Sequence, residues 1–320
     1  MEHIIELTQD EIEILEILAS NIKISPSVDP SWFCLLAKAY CEYIPQRILN
    51  ALLDFSIRGS TTGFLLIKTI PIIDPPVTPF GNNQKVGETT DLSKIQAILV
   101  SAISELIAYE AEGYGRLFQD VVPVQSMASN QTSIGSNVEL EIHTEQAFSK
   151  LRPDILSLAC IRGDLNAMTH ILPVRNIIDN LGHNMLREPL WKTGVDMSFK
   201  LNGHEFIEGD IRGPMPIIHG SDDDPCLTFD QDLMTGITPE SDGVVKQIVD
   251  IYYKERLSHN LKPGEIILVD NRRAVHGRSP FFPRYDGEDR FLIRCFGIFD
   301  YEKTRKARPS NSRVVSAIYS

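Results

Sequence analysis

The chain has 320 residues, of which 42% are hydrophobic and 23% charged, as in an ordinary soluble globular protein. Its formal net charge of −12, with no basic stripe that could neutralise phosphates, argues against binding of nucleic acid. The five cysteines lack CxxC spacing and predict reduced thiols. With no signal peptide in the first residues and no bilayer-spanning apolar run, we expect a cytoplasmic protein that does not associate with membranes.

The first third of the chain predicts a helical scaffold. Thr8-Gln-Asp-Glu11 is a capping box that precedes apolar residues at helical spacing. Further helices are predicted over residues 32–43 and 45–57, and over 92–111 with Asp91 as the cap. A continuous apolar run predicts a buried strand over residues 63–68, and the Pro- and Gly-bearing stretch 74–87 predicts a loop.

Beyond Gly113 short strands alternate with turns. They are predicted over residues 155–162, 195–201, 217–218, 266–270 and 290–299, with one helix over 244–259. This order favours a mainly β fold with flanking helices and a jelly-roll core, a double sheet of short strands. No linker divides the chain, so we expect one domain over residues 1–320, with the helical part ending near residue 112.

Two polar loops stand apart from these elements. Residues 125–137 are rich in Ser, Asn, Gln and Gly, and residues 209–242 form a long segment with Gly, Pro, the run Asp222–Asp224, Asp230 and Asp232. Long loops within a compact domain are usually functional, so we interpret 209–242 as a lid. The run Asp222–Asp224 predicts a solvated acidic surface.

One strand ends in a set of metal-binding side chains. Residues 137–145 alternate with period two, which places His143 and Glu145 on one face at the end of a half-buried strand. A second imidazole, His276, follows the apolar strand 265–270. Two His and one carboxylate are the ligands of non-haem Fe(II) oxygenases. Taken alone the triplet is a weak signal, because most such histidines are hydrogen-bonded surface or core groups.

Two arginines follow His276 on a single predicted strand. Arg290 and Arg294 are four residues apart and share a strand face. A buried pair of arginines is costly unless each meets an anion, and a guanidinium matches a carboxylate in bidentate geometry. The pair therefore indicates two small-molecule carboxylates, with solvated surface arginines as the alternative.

Together these residues resemble the clavaminate synthase-like group of Fe(II)/2-oxoglutarate oxygenases, which includes asparagine oxygenase and the hydroxylases of free arginine and lysine. The resemblance extends from about Gly113 to the C-terminus. Its motifs are Gln131-Thr-Ser133, His143-Thr-Glu145, Asp230-Gln-Asp232, Val275-His-Gly-Arg278 and Arg290-x-x-x-Arg294. The group has Glu as its carboxylate ligand, which matches Glu145, and its fold is the double-stranded β-helix, a jelly-roll variant.

The resemblance implies a role for each of these residues. Fe(II) would be held by His143, Glu145 and His276. The cosubstrate 2-oxoglutarate would meet Arg290, with Thr169 as a further contact. An amino-acid substrate would be bound by Arg294, Ser133, Gln131, Glu112, Asp230 and Asp232. With O2, such an enzyme oxidatively decarboxylates 2-oxoglutarate to succinate and carbon dioxide while it hydroxylates an unactivated C–H bond.

The expected substrate is a free basic L-amino acid, lysine first and arginine second. If Arg294 binds the α-carboxylate, Asp230 and Asp232 remain for the other end of the substrate, where a cation would offset their burial. Lysine stands first because the family members that look nearest are lysine hydroxylases, and the position could be C3 or C4. L-Asparagine hydroxylation and a non-enzymatic jelly-roll protein that binds a small molecule or metal are the alternatives. The sequence leaves homo-oligomer formation open.

Overall fold

The computed structural model describes residues 3–200 and 205–320, and this part of the chain contains seven α-helices and 17 β-strands. The helices are α1 Gln9–Asn21, α2 Pro30–Ala39, α3 Gln46–Arg58, α4 Asp91–Ser101, α5 Val174–Leu181, α6 Met197–Lys200 and α7 Pro239–Glu255. The strands are β1 Ile4–Glu6, β2 Phe64–Lys68, β3 Glu105–Tyr109, β4 Gln119–Val121, β5 Leu140–His143, β6 Ile155–Arg162, β7 Thr169–Pro173, β8 Trp191–Gly194, β9 Ile211–Met215, β10 Ile218–Gly220, β11 Pro225–Leu227, β12 Met234–Gly236, β13 Leu257–His259, β14 Ile266–Asp270, β15 Ala274–Arg278, β16 Phe291–Ile298 and β17 Val314–Val315.

Local sequence signals begin several of these elements where they were predicted. The capping box of α1 is complete, because Thr8 Oγ1 accepts the N–H of Glu11 and Glu11 Oε2 accepts the N–H of Thr8 at 2.9 Å. The second predicted helix is α2 followed by a 3₁₀ turn over Tyr40–Tyr43. Strands β6 and β14 have the predicted bounds.

The predicted helix over residues 92–111 is wrong in its second half. Helix α4 ends at Ser101, and strand β3 begins at Glu105. Ser104 makes the turn, since its hydroxyl and its N–H both donate to the carbonyl of Val100. The cap is also Thr90 rather than Asp91, because Thr90 Oγ1 accepts the N–H of Ser93.

Two other predicted elements need correction. The strand predicted over residues 195–201 is wrong in its described part: strand β8 ends before it, at Gly194, and the short helix α6 follows over Met197–Lys200; residue 201 lies outside the described residues. The helix predicted over 244–259 begins five residues earlier, because Thr238 caps α7 with Pro239 in its first turn, and it gives way to strand β13 at Leu257.

The fold is mainly β, and its larger sheet carries the N-terminal helices on one face. Within the described chain this sheet has the strand order β1-β2-β14-β6-β16-β3-β17, with β4 also paired to β16. Apolar residues of α1 to α4 pack on one face, for example Leu15, Phe33, Leu52 and Ile98. The first third is therefore more than a helical scaffold, because β1, β2 and β3 belong to this sheet.

A second, smaller sheet has the order β13-β7-β15-β5. Its residues Ile142, Leu172 and Val275 pack against buried side chains of α5 and α7. Strands β5 and β15 are antiparallel neighbours, and His143 and His276 are paired directly across them. This register brings together two imidazoles that are 133 positions apart in the printed sequence.

The acidic segment 209–242 is folded rather than a simple loop, with β9 to β12 inside it. Asp222 and Asp224 are exposed, but Asp222 pairs with Arg187 at 2.8 Å and Asp224 makes a two-pronged ion pair with Arg273. Their exposure agrees with the predicted solvated acidic surface, and the two ion pairs are contacts that the sequence did not reveal.

The five cysteines are free, as predicted. In the described part of the chain no helix has the length and apolar character needed to cross a membrane.

Candidate metal and substrate site

The three predicted metal ligands come together at the end of β5 and in β15. The donor atoms of His143, Glu145 and His276 lie within 4.8 Å of one another, as a single ion would require. Nε2 of His276 is 3.1 Å and Nε2 of His143 is 3.9 Å from the Glu145 carboxylate. Glu145 and His276 are buried, and His143 is partly exposed toward the cavity.

The protonation of these side chains suits a divalent metal. Nδ1 of His143 lies 2.8 Å from the Glu141 carbonyl, so it carries the proton and leaves the Nε2 lone pair free. Burial, followed by the neighbouring His143, lowers the pKa of His276 and favours its neutral form. Burial would raise the pKa of Glu145, but Arg294 and the two imidazoles outweigh it and hold that pKa at about 2.

Asn271 holds the carboxylate ligand, and the sequence interpretation missed it. Its Oδ1 accepts the N–H of Glu145 at 2.7 Å, and its Nδ2 donates to the carbonyls of Glu145 and Pro153. The side chain is fully buried directly after β14. Partners of this kind orient metal ligands. An Asn after a strand is an ordinary turn signal, so its role was not visible before the fold.

The metal strand is also joined to the segment that carries Asp230. The N–H of Thr144 donates to the carbonyl of Phe229 at 2.8 Å, and the N–H of Gln231 donates to that of Ile142 at 2.9 Å. His143 and Asp230 form a β-bridge between these bonds. The position of Asp230 is therefore fixed by the backbone of the metal-binding residues.

The triad opens into a cavity of about 500 Å³, a size typical of small-molecule sites. Each predicted site residue lines it. They are Glu112, Gln131, Ser133, His143, Glu145, Thr169, Asp230, Asp232, His276, Arg290 and Arg294.

Arg290 is a buried cation in the wall of the cavity. Only 6% of its surface is exposed, and within the described residues no carboxylate forms an ion pair with it. Its guanidinium lies 5.6 Å from the ring centre of Phe281, and burial lowers its pKa to about 10. Thr169, also buried, begins β7 opposite Arg278. A cation buried in this way is ready to bind an anion.

Arg294 is already engaged by polar side chains. It forms an ion pair with Glu112, and its Nε and Nη2 donate to Oε1 of Gln119 at 3.1 and 2.5 Å. Its Nη1 lies 3.7 Å from the metal-ligand candidate Glu145. Glu112 also accepts a hydrogen bond from Gln146. Arg294 therefore links the metal site to the part of the cavity around Glu112.

Asp230 and Asp232 differ in their surroundings. Oδ1 of Asp230 accepts the N–H groups of Asp232 and Leu233, and burial raises the pKa of Asp230 to about 6. Asp232 is exposed at the cavity rim. Glu141, which no sequence argument singled out, also lines this wall, and burial followed by Asp232 raises its pKa.

Gln131 is hydrogen-bonded to the backbone at the start of β5. Its Nε2 donates to the carbonyl of Glu139 and its Oε1 accepts the N–H of Glu141, so both ends of the amide hold the loop against β5. Ser133 lies two residues further along the same loop and lines the cavity.

Known proteins with similar sequences identify the family. The profile of the taurine catabolism dioxygenase family, TauD and TfdA, matches residues 207–296, which include Asp230, His276 and both arginines. L-Lysine 3-hydroxylase of Catenulispora acidiphila is 47% identical, over 99% of this chain and 90% of its own length. The chain belongs to the clavaminate synthase-like Fe(II)/2-oxoglutarate oxygenases.

Two further relatives are similar to this oxygenase over nearly its whole length. Clavaminate synthase 2 of Streptomyces clavuligerus is 29% identical, over 92% of this chain and 91% of its own. A crystal structure of asparagine oxygenase with Fe(II), 2S,3S-3-hydroxyasparagine and succinate superimposes with a TM-score of 0.90. That structure is 28% identical and covers 98% of this chain and 99% of its own.

Proposed function

We propose that this oxygenase hydroxylates free L-lysine at C3, with Fe(II), 2-oxoglutarate and O2. The observation that carries the proposal is the similarity to L-lysine 3-hydroxylase, which extends over 99% of the chain at 47% identity. The cavity supports it independently, because the partly buried carboxylate of Asp230 lines it together with Arg290 and Arg294.

The charges of the cavity residues suggest which of them would bind the metal and which the cosubstrate. His143, Glu145 and His276 would hold Fe(II), since two imidazoles and a carboxylate are the donors that suit it. Arg290 would pair with the distal carboxylate of 2-oxoglutarate, with Thr169 beside it. With O2, the bound iron and 2-oxoglutarate supply the oxidant for an unactivated C–H bond and yield succinate and carbon dioxide. The protein positions the reactants around them.

The substrate would lie between Arg294 and Asp230. Arg294 would bind the α-carboxylate, while Glu112 and Ser133 would bind the α-ammonium group. Asp230 Oδ1 is engaged by two backbone N–H groups, so Oδ2 is the atom left for the side-chain ammonium, with Asp232 at the rim. A carboxylate in a closed cavity is costly unless a cation meets it, which favours a basic side chain over an amide.

The architecture fits one domain of the double-stranded β-helix type. We infer this from the site, which lies between the larger sheet that carries Arg290 and Arg294 and the smaller sheet that carries His143 and His276. Segment 209–242 would act as the lid, because it supplies Asp230 and Asp232 from one edge.

A panel of free amino acids tests the proposal. The protein is incubated with Fe(II), 2-oxoglutarate and each amino acid, and succinate and the gain of one oxygen atom are measured. We expect lysine to be preferred, arginine to be second, and nuclear magnetic resonance of the product to place the hydroxyl on C3. His143→Ala is the inactive control. Preferred turnover of asparagine would contradict the proposal, and absence of succinate release with every substrate would favour a non-enzymatic binding protein.

A further inference from the structure

Arg278 is a buried arginine that the proposed chemistry does not use. It ends β15, two residues after His276, so both side chains lie on the cavity side of the strand. Only 4% of its surface is exposed, and within the described residues no carboxylate forms an ion pair with it. A buried cation of this kind needs other hydrogen-bond acceptors.

Those acceptors are backbone carbonyls of the loop that lines the cavity. Nη1 of Arg278 donates to the carbonyl of Gly135 at 2.8 Å and, more weakly, to that of Ser133 at 3.4 Å. Nη2 donates to the carbonyl of Val138 at 3.2 Å, and Nε donates to that of Ser279 at 3.1 Å. The guanidinium thus connects the His276 strand to the loop that carries the proposed substrate contact Ser133.

The loop is closely packed around these bonds. A side chain at Gly135 would place its Cβ 2.3 Å from the carbonyl oxygen of Asn130, so the loop has little freedom to follow a displaced anchor. The N–H of Phe281 also donates to the carbonyl of Ser136 at 2.9 Å. The loop is therefore attached to the segment after β15 at two places.

The same arginine contacts the cosubstrate side through an aromatic ring. The ring centre of Phe281 lies 5.0 Å from the guanidinium carbon of Arg278 and 5.6 Å from that of Arg290. Phe281 is 1% exposed, so its ring has a fixed place between the two cations. A displacement of Arg278 would therefore reach both Ser133 and Arg290.

We propose that Arg278 is a positioning residue that sets the distance between the amino-acid wall at Ser133 and the cosubstrate anchor Arg290. The proposal rests on the proposed function. Lysine cannot replace the guanidinium, because one ammonium group lacks the planar fork of donors that reaches the carbonyls of Gly135, Val138 and Ser279 together. Because a misplacement of about 1 Å can greatly slow the reaction, the rate would then depend on Arg278 through the positions of Ser133 and Arg290.

The test measures coupling as well as rate. In Arg278→Lys we expect the KM for L-lysine to rise about tenfold and the yield of hydroxylysine per succinate to fall by at least about half, because a misplaced C–H bond lets 2-oxoglutarate be consumed without product. A purely structural role would lower stability and the amount of active enzyme but leave this ratio unchanged. Thermal melting and far-ultraviolet circular dichroism show whether the variant is folded.

Arg308 provides a matched control. It is 3% exposed, lies 3.5 Å from the ring centre of Tyr301 and donates to the carbonyl of Ser312, but it does not line the cavity. Arg308→Lys should lower the melting temperature and leave the coupling ratio unchanged.

Phe281→Leu supplies a second variant should Arg278→Lys fail to fold. We expect it to weaken 2-oxoglutarate binding, followed anaerobically by the visible absorption band with Fe(II), and to reduce coupling. Wild-type coupling in both folded variants would overturn the proposal for Arg278. A wild-type protein that releases no succinate with any amino acid would instead overturn the proposed function.

Discussion

Replacing Arg290 should have two opposite effects: the ligand-free protein should become more stable, and its binding of 2-oxoglutarate should become weaker. The guanidinium of Arg290 is buried without a carboxylate partner among the described residues, and burial lowers its pKa from 12.5 to about 10. At about 1.4 kcal/mol per pH unit, the charged form costs the fold about 3 kcal/mol. A cation with a depressed folded-state pKa destabilises the protein below that pKa, and the penalty disappears as the pH rises toward 12.5. At neutral pH the full penalty is present.

Arg290→Met removes that cost and the anion site together. We expect the ligand-free variant to unfold at a higher temperature than the wild type. Its free energy of unfolding should rise by up to about 3 kcal/mol, less the packing energy that is lost at Phe281. Loss of one partner of a buried charge pair should weaken 2-oxoglutarate by about 2–5 kcal/mol, or roughly 30-fold to several thousand-fold in Kd. The stabilisation of the protein by added 2-oxoglutarate should disappear with it.

Differential scanning calorimetry with and without Fe(II) and 2-oxoglutarate measures both effects, and anaerobic titration gives the Kd. Arg290→Lys is the matched control, because it keeps the charge and loses the bidentate geometry. We expect this control to show no gain in stability and an intermediate loss of affinity. Unchanged 2-oxoglutarate affinity in Arg290→Met would refute the assignment, and a lower melting temperature for the ligand-free variant would refute the argument from burial.

Substitutions at three further residues test the site. Asp230→Asn should raise the KM for L-lysine about tenfold or more, because a hydrogen bond to a charged group is lost, and should change the affinity for 2-oxoglutarate little. An equal loss of affinity for both would contradict the proposed contact. Asn271→Ala should weaken Fe(II) binding about 10- to 100-fold in a metal titration, whereas Asn271→Asp, which keeps the acceptor for Glu145, should bind Fe(II) more tightly than the Ala variant. Arg294→Ala should weaken the amino acid more than 2-oxoglutarate in steady-state kinetics, and equal loss of both would show that the two arginines do not divide these roles.

Local patterns were enough to predict the ends of several elements and the metal-binding face. Strand alternation grouped His143 with Glu145, although β5 ends at His143 and Glu145 lies beyond it, and the capping box of Thr8 and Glu11 follows from sequence-local hydrogen bonds. Their signals lie within a few residues, so no knowledge of the fold is needed. His276 was added as a second imidazole after an apolar strand, the family resemblance implied that all three hold Fe(II), and the β5–β15 register shows why His276 is adjacent.

The errors arise where tertiary contacts override a local pattern. The apolar run after Leu92 continues past Ser101, and periodicity alone cannot distinguish a buried helix from a buried strand. The chain turns at Ser104, whose side chain packs closely on Gly297. A Cβ at position 297 would lie 2.2 Å from the hydroxyl oxygen of Ser104. The pairing of Asp224 with Arg273 and the contacts of Asn271 join residues far apart in sequence, so composition and spacing do not reveal them.

Charged side chains of both signs line the cavity, and we expect them to decide which amino acids it selects. Arg278 and Arg290 have no carboxylate partner among the described residues, and a dianionic cosubstrate would supply one for Arg290. The pKa values of Asp230 and Glu141, which also line the cavity, are raised by burial and by nearby Asp232. A lysine ammonium group offsets that negative charge, whereas an asparagine amide leaves it uncompensated. We therefore expect a preference for basic over neutral side chains to depend on the residues around Asp230, and Asp230→Asn should reduce this preference even where some turnover is retained.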